Sequence, residues 1–171
     1  VRSAPVKRNE KILGVMDSSG TLTVQRWNGS AWTNEWSVAA VPQANSVWRG
    51  FDIAYEQTSA RAIVMYSRGV TVAEVGYRIW NGTAWTGEIT AEMPTSGVVQ
   101  WLRYEPQRGT DRALLVTLDA NADIASVPWE GASGWSGVVG ASTTLTLTAS
   151  IATEECLDIA WEGVSVSSAP S

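Results

Sequence analysis

Six tryptophans stand at matching spacings in this chain: Trp27 and Trp32, Trp80 and Trp85, Trp129 and Trp135. An indole packs as a large flat apolar body, or, left exposed, stacks on the apolar face of a sugar ring. Both readings are open from the sequence. In the segment before Trp80, Val75, Tyr77 and Ile79 share one face of a strand, while Arg78 and Trp80 share the other. Before Trp27, Leu22 and Val24 oppose Thr23, Gln25 and Trp27. The tryptophan thus lies with the polar set, which favours a partly exposed surface for some of these rings. Two acid–base pairs, Glu56/Arg61 and Glu105/Arg112, are expected across turns. They read as ion pairs at strand ends, worth little if exposed, or as a repeated polar site that holds hydroxyl groups.

Other constellations are weaker. In "DANADIASVPWE", the oxygen-bearing Asp119, Asn121, Asp123 and Glu130 occupy positions 1, 3, 5 and 12, in imitation of a calcium loop. The sixth position, where such a loop requires glycine, holds Ile124, and strands rather than helices flank it. "NGS" at Asn28 and "NGT" at Asn81 match a glycosylation sequon that the turn chemistry already accounts for. Paired carboxylates for glycoside hydrolysis would have to converge as one pair, whereas here the acidic residues recur with the repeat, and no sialidase-type Asp box is found. The expectation is therefore no enzyme and no cofactor.

Composition narrows the field further. The chain has no histidine, which removes imidazole bases, Ser-His-Asp and Cys-His nucleophiles and His-ligated zinc. Cys156 is the single cysteine, so no internal disulfide can form, and it is expected to be a small buried hydrophobe. Net charge is −5, which offers no basic footprint for nucleic acid. No apolar run reaches the ~18 residues a membrane helix needs. The opening "VRSAPVKRNE" carries neither methionine nor an apolar signal core and reads as a processed or excised piece. Abundant Thr, Ser, Gly, Ala and Val with two lysines suits an exported bacterial or phage surface protein.

The elements that position these residues are repeated. "WNGSAW" from Trp27 returns as "WNGTAW" from Trp80, and in longer form as "WEGASGW" from Trp129. "KILGVM" at Lys11, "RAIVMY" at Arg61 and "RALLVT" at Arg112 share a basic-then-apolar form. "FDIAYE" at Phe51 is echoed by "WLRYE" at Trp101 and "LDIAWE" at Leu157. The period is about 50 residues, and each period holds four short β-branched or aromatic segments bounded by turn residues. Helices should be almost absent. Asn-Gly is expected to close a two-residue type I′ hairpin, with its two tryptophans as diagonal cross-strand neighbours.

Four-stranded units of this length read as β-propeller blades. With the "FDIAYE" type named A, the strand order is BCD-ABCD-ABCD-A. Blades fall at about 11–50, 51–100 and 101–150, with a closing strand at 156–162, in a single domain or part of one over 1–171. Three blades would make a very tight ring, so a homo-oligomer or a longer parent chain is expected. The tail "GVSVSSAPS" does not clearly begin another strand. A pair of β-sandwich domains would explain the strands but not the period.

"VAEVGYRIWNGTAWTGEI" resembles the blade of the fucose-binding propeller lectins of bacteria and fungi, in which a W-[DN]-G-x-x-W hairpin follows a strand. The resemblance implies an oligomer-completed propeller that binds sugar. That family's sugar-binding Glu lies three residues before the first Trp, where this chain has Val24, Tyr77 and Ser126. Its fucose-binding set is therefore not carried over, and what the resemblance implies is a lectin-like propeller in general. The expected function is a non-enzymatic module, extracellular or at the cell surface, that recognises a glycan or surface protein through repeated, multivalent Trp-lined sites. The alternative is a structural subunit or decoration protein of a surface filament or phage particle, and the third reading is a propeller glycosidase.

Overall fold

Strand chemistry dominates because each period supplies runs of β-branched and aromatic residues too short for a helix and closed by Gly, Asn or Asp. A computed structural model describes residues 1–6, 9–39, 41–42, 49–135, 143–146 and 157–162. Twelve strands are found there: β1 (Arg2–Ser3), β2 (Lys11–Met16), β3 (Leu22–Trp27), β4 (Trp32–Val38), β5 (Phe51–Tyr55), β6 (Ala62–Ser67), β7 (Glu74–Trp80), β8 (Ile89–Glu92), β9 (Val99–Pro106), β10 (Arg112–Asp119), β11 (Ile124–Glu130) and β12 (Thr143–Thr146). Gly131–Ser133 form one 3-10 turn, and no α-helix occurs among the described residues. Cys156 and the tail 163–171 lie outside the described residues, as do 136–142 and 147–155 of the third repeat.

The described residues make three four-stranded antiparallel sheets, ordered β1-β2-β3-β4, β5-β6-β7-β8 and β9-β10-β11-β12. Each is a meander of consecutive strands, so the repeat read from the sequence is a repeat of sheets. The first sheet departs from expectation. It does not lack its first strand, because Arg2–Ser3 pair with Ile12 and Lys11. Two residues carry no alternation of polarity, and the strand was therefore not legible. The closing "LDIAWE" segment is not a strand in 157–162, although it lies along β9, with Trp161 Nε1 donating to the Glu105 carbonyl at 3.0 Å and Arg103 bonding Asp158 at 2.8 Å.

The second sheet lies between the other two and is buried on both faces. Along β6 every residue is buried. Ala62, Val64 and Tyr66 pack with Ile12, Leu22 and Val24 of the first sheet. Ile63 and Met65 pack with Leu102, Tyr104, Leu115 and Val127 of the third. A continuous apolar run reads as a strand with no solvent face, and here the two cores explain it. Gly76 answers the same crowding: a Cβ there would stand 2.6 Å from the Tyr66 ring.

Candidate functional site

The repeated hairpins place their tryptophans in direct opposition. Trp27 pairs with Trp32, Trp80 with Trp85 and Trp129 with Trp135. The loop between Trp27 and Trp32 is thus four residues, 28–31, and the two-residue type I′ turn expected from Asn-Gly is corrected. Gly29 and Gly82 take positive φ, at 104° and 95°, but their asparagines do not. Instead Asn28 Oδ1 accepts the Ser30 and Ala31 N–H groups, each at 3.0 Å. Asn81 does the same for Thr83 and Ala84 at 2.9 Å. The side chain mimics a backbone turn, as asparagine does wherever its own downstream amides are free.

Two of the three pairs are consumed by packing between sheets. Trp80 is 4% exposed and Trp129 is 2% exposed. Trp80 Nε1 donates to Glu10 Oε2 of the first sheet's turn at 3.1 Å, and Trp129 Nε1 to Glu56 Oε1 of the second's at 2.8 Å. Trp85 donates to Glu35 at 3.0 Å and meets Trp36 edge-on, ring centres 5.4 Å apart. Trp129 and Trp135 both meet Tyr77 edge-on at 5.8 Å. One sheet's pair therefore anchors to the sheet before it, twice, with the same indole-to-carboxylate bond. Three equivalent open sites, the arrangement expected from the repeat, do not occur.

The remaining named residues divide between those interfaces and strand ends. Arg78 lies in the interface between the first two sheets, its guanidinium 4.8 Å from the Trp36 ring centre, and Arg26 covers Trp80 at 4.5 Å. Glu56 is 1% exposed. It grips Arg61 through two bonds, at 2.6 and 2.7 Å, and also accepts the Ser59 hydroxyl. That hydrogen bonding holds the Arg61 guanidinium above its ordinary pKa. The Glu105/Arg112 pair is corrected: Arg112 bonds Glu130 at 2.6 Å. Register explains the difference. Glu105 opposes Leu114 within the β9–β10 ladder, just as Ala54 opposes Ile63. The counterpart of Glu56 is Gln107, whose N–H bonds the Arg112 carbonyl as that of Glu56 bonds Arg61.

Glu105 lines a cleft of about 340 Å³ with Arg2, Tyr55 and Gln57. Burial raises its carboxyl above the ordinary carboxylate range against the opposing pull of Arg2 and Arg103. A raised folded-state pKa means the ionised group costs stability: nothing below the unfolded value, the full penalty above the folded one. Glu105→Gln is expected to raise Tm at pH 7, with the gain vanishing on acidification through that window. A lower Tm at pH 7 would overturn the assignment and show a carboxylate held by a partner.

The calcium candidates are dispersed. Asp119 is fully buried, its Oδ1 accepting the N–H groups of Asn121 and Asp123 and its Oδ2 that of Gly97 at 2.8 Å. Oδ1 is spent on the β10–β11 turn, as Asp17 Oδ1 is spent on the N–H groups of Ser19 and Thr21 in the first sheet, and Oδ2 on the loop between β8 and β9. Glu130 sits with Arg112 at the far end of β11, about 20 Å away at ~3.3 Å per residue. No cluster of three metal-ligating side chains occurs among the described residues.

What remains is the front of the first sheet, which no sheet among the described residues covers. Trp32 is 42% exposed and Trp27 half-buried, their ring centres 5.7 Å apart at 50°. Beside them Gln25 Nε2 donates to Asn34 Oδ1 at 2.7 Å. Thr23 and Ser37 join hydroxyls at 3.1 Å. The sequence motif marks all six tryptophans alike and does not single out Asn34 or Ser37. Their signal was the run of polar side chains on the tryptophan face of β4. No protein-family model matches the chain, and no curated protein matches it.

Proposed function

We propose that this chain is a non-enzymatic recognition module, extracellular or at the cell surface, that binds a glycan or surface molecule. Its three sheets are read as consecutive blades of a β-propeller. One observation carries the binding reading: the Trp27–Trp32 pair stays open among the described residues while its two repeats are packed away. An aromatic pair left in water beside amide and hydroxyl groups is a recognition surface for an amphipathic ligand. A glycan array followed by tryptophan fluorescence titration tests it. Saturable, sugar-competed binding is the expected result, and a blank array with folded protein removes the glycan.

A second reading, a structural building block of a surface assembly, is favoured by the interface itself. The same indole-to-carboxylate anchor joins sheets one and two and sheets two and three. A unit that stacks twice by one rule can continue, in a homo-oligomer or in a longer chain. Light scattering across a concentration series separates the two: a fixed mass or a discrete small oligomer supports the module, and open-ended growth supports the building block.

A further inference from the structure

The geometry points to the front of the first sheet as a binding face for an uncharged glycan chain, laid across β3 and β4 with Trp32 and Trp27 as its stacking residues. The inference rests on the recognition reading above and names its site and ligand class. Three cross-strand rungs define the face: Trp27 with Trp32, Gln25 with Asn34, Thr23 with Ser37. The bulge between Val24 and Gln25 lets the next residue, Glu35, turn back to bond Arg26 and Trp85, so the carboxylate leaves this face. None of the three rungs carries a charge, although Lys11 stands beside them, opposite Trp27 on β2.

Comparison with the equivalent faces shows what has changed. Where the second sheet presents Ala62 opposite Trp80 and the third Ala113 opposite Trp129, the first presents Lys11 opposite Trp27. The buried versions place a small apolar residue beside the indole, and this one places a lysine there. A face made for solubility alone would not keep Trp32 exposed at the hairpin tip. Keeping the indoles while adding a row of amides and hydroxyls matches a sugar chain, which offers apolar C–H faces for stacking and hydroxyls on both sides for hydrogen bonds. The rungs follow one another along the strands at about 7 Å for every second residue, which suits an extended oligosaccharide rather than a single ring.

The test is titration of the whole chain with soluble cellohexaose, xylohexaose, mannohexaose and chitohexaose, and with a galacturonate hexamer as the acidic comparison, followed by tryptophan fluorescence and calorimetry. Saturable binding of at least one neutral hexamer is expected. Trp32→Ala should weaken it at least tenfold and Gln25→Ala several-fold, with thermal unfolding unchanged for the first. Val72→Ala, on an exposed loop outside this face, should leave it unchanged. Binding that survives Trp32→Ala and Gln25→Ala overturns this site while the glycan-binding reading stands. Binding of the acidic hexamer alone overturns the ligand class. Absence of binding to every sugar removes both.

Discussion

Glu56→Ala is expected to lower stability by about 3 kcal/mol, because one truncation strands three donors at once. The buried carboxylate accepts two bonds from Arg61, the Ser59 hydroxyl and the Trp129 indole. Water can reach Arg61, which keeps a quarter of its side chain exposed, so its charge is partly rescued. The Trp129 N–H cannot be rescued inside the interface, and a buried unpaired donor costs ~1–3 kcal/mol. At roughly 2–4 °C per kcal/mol for a chain of this size, Tm should fall by roughly 6–12 °C. Glu56→Gln keeps an acceptor for the indole but loses the charge for Arg61, and should cost about half as much. The chain itself uses glutamine one repeat on, at Gln107. Hydrogen exchange gives the sharper check: protection should fall first in β9 to β11, whose sheet is anchored through this contact. A uniform loss across all three sheets would show that Glu56 supports its own turn and not the junction.

Much of the fold was legible because the hydrophobic pattern is local. "KILGVM" coincides with β2 residue for residue, and "FDIAYE" overruns β5 by one residue. Register was not legible. Matching "FDIAYE" to "WLRYE" by their shared Tyr-Glu set Glu105 beside Arg112. The ladder instead pairs Glu105 with Leu114 inside the sheet and leaves Gln107 at the turn. A short identity cannot count the residues between strand and turn, and a slip of two residues keeps the face but carries the side chain from the turn into the ladder. Which tryptophans are covered was not legible for a related reason. Face alternation told which side of a strand each indole takes, and correctly set Trp27 with Gln25 and Thr23. It could not tell whether another sheet covers that side. That depends on position in the array: the first sheet has no neighbour in front of it among the described residues, and the second and third do. Glu10, the anchor of Trp80, belongs to no recurring motif, and its role exists only once two sheets meet.

Position in the array also governs the second large effect. Trp129→Ala is expected to cost ~3–5 kcal/mol, the range for emptying a buried aromatic site, whereas Trp27→Ala at the equivalent hairpin position should cost at most ~1 kcal/mol, the scale of a cross-strand pair. The two residues share a sequence motif and a ladder position opposite a second tryptophan. They differ in what lies beyond the ring. Trp129 is closed in by Tyr77 and Trp135 and bonded to Glu56, so its removal leaves a cavity and takes one hydrogen bond from a buried carboxylate. Trp27 is half-buried against Trp32 with no sheet in front of it among the described residues, and water fills the space it leaves. Thermal or urea unfolding of the two variants checks this directly. A double-mutant cycle of Trp129→Ala with Glu56→Ala should be strongly non-additive, since each change removes the same bond, while a cycle of Trp27→Ala with Glu56→Ala should be additive. Equal losses at Trp27 and Trp129 would mean that the first sheet's front is also covered in solution, and would convert the open hairpin from a binding face into one more junction between sheets.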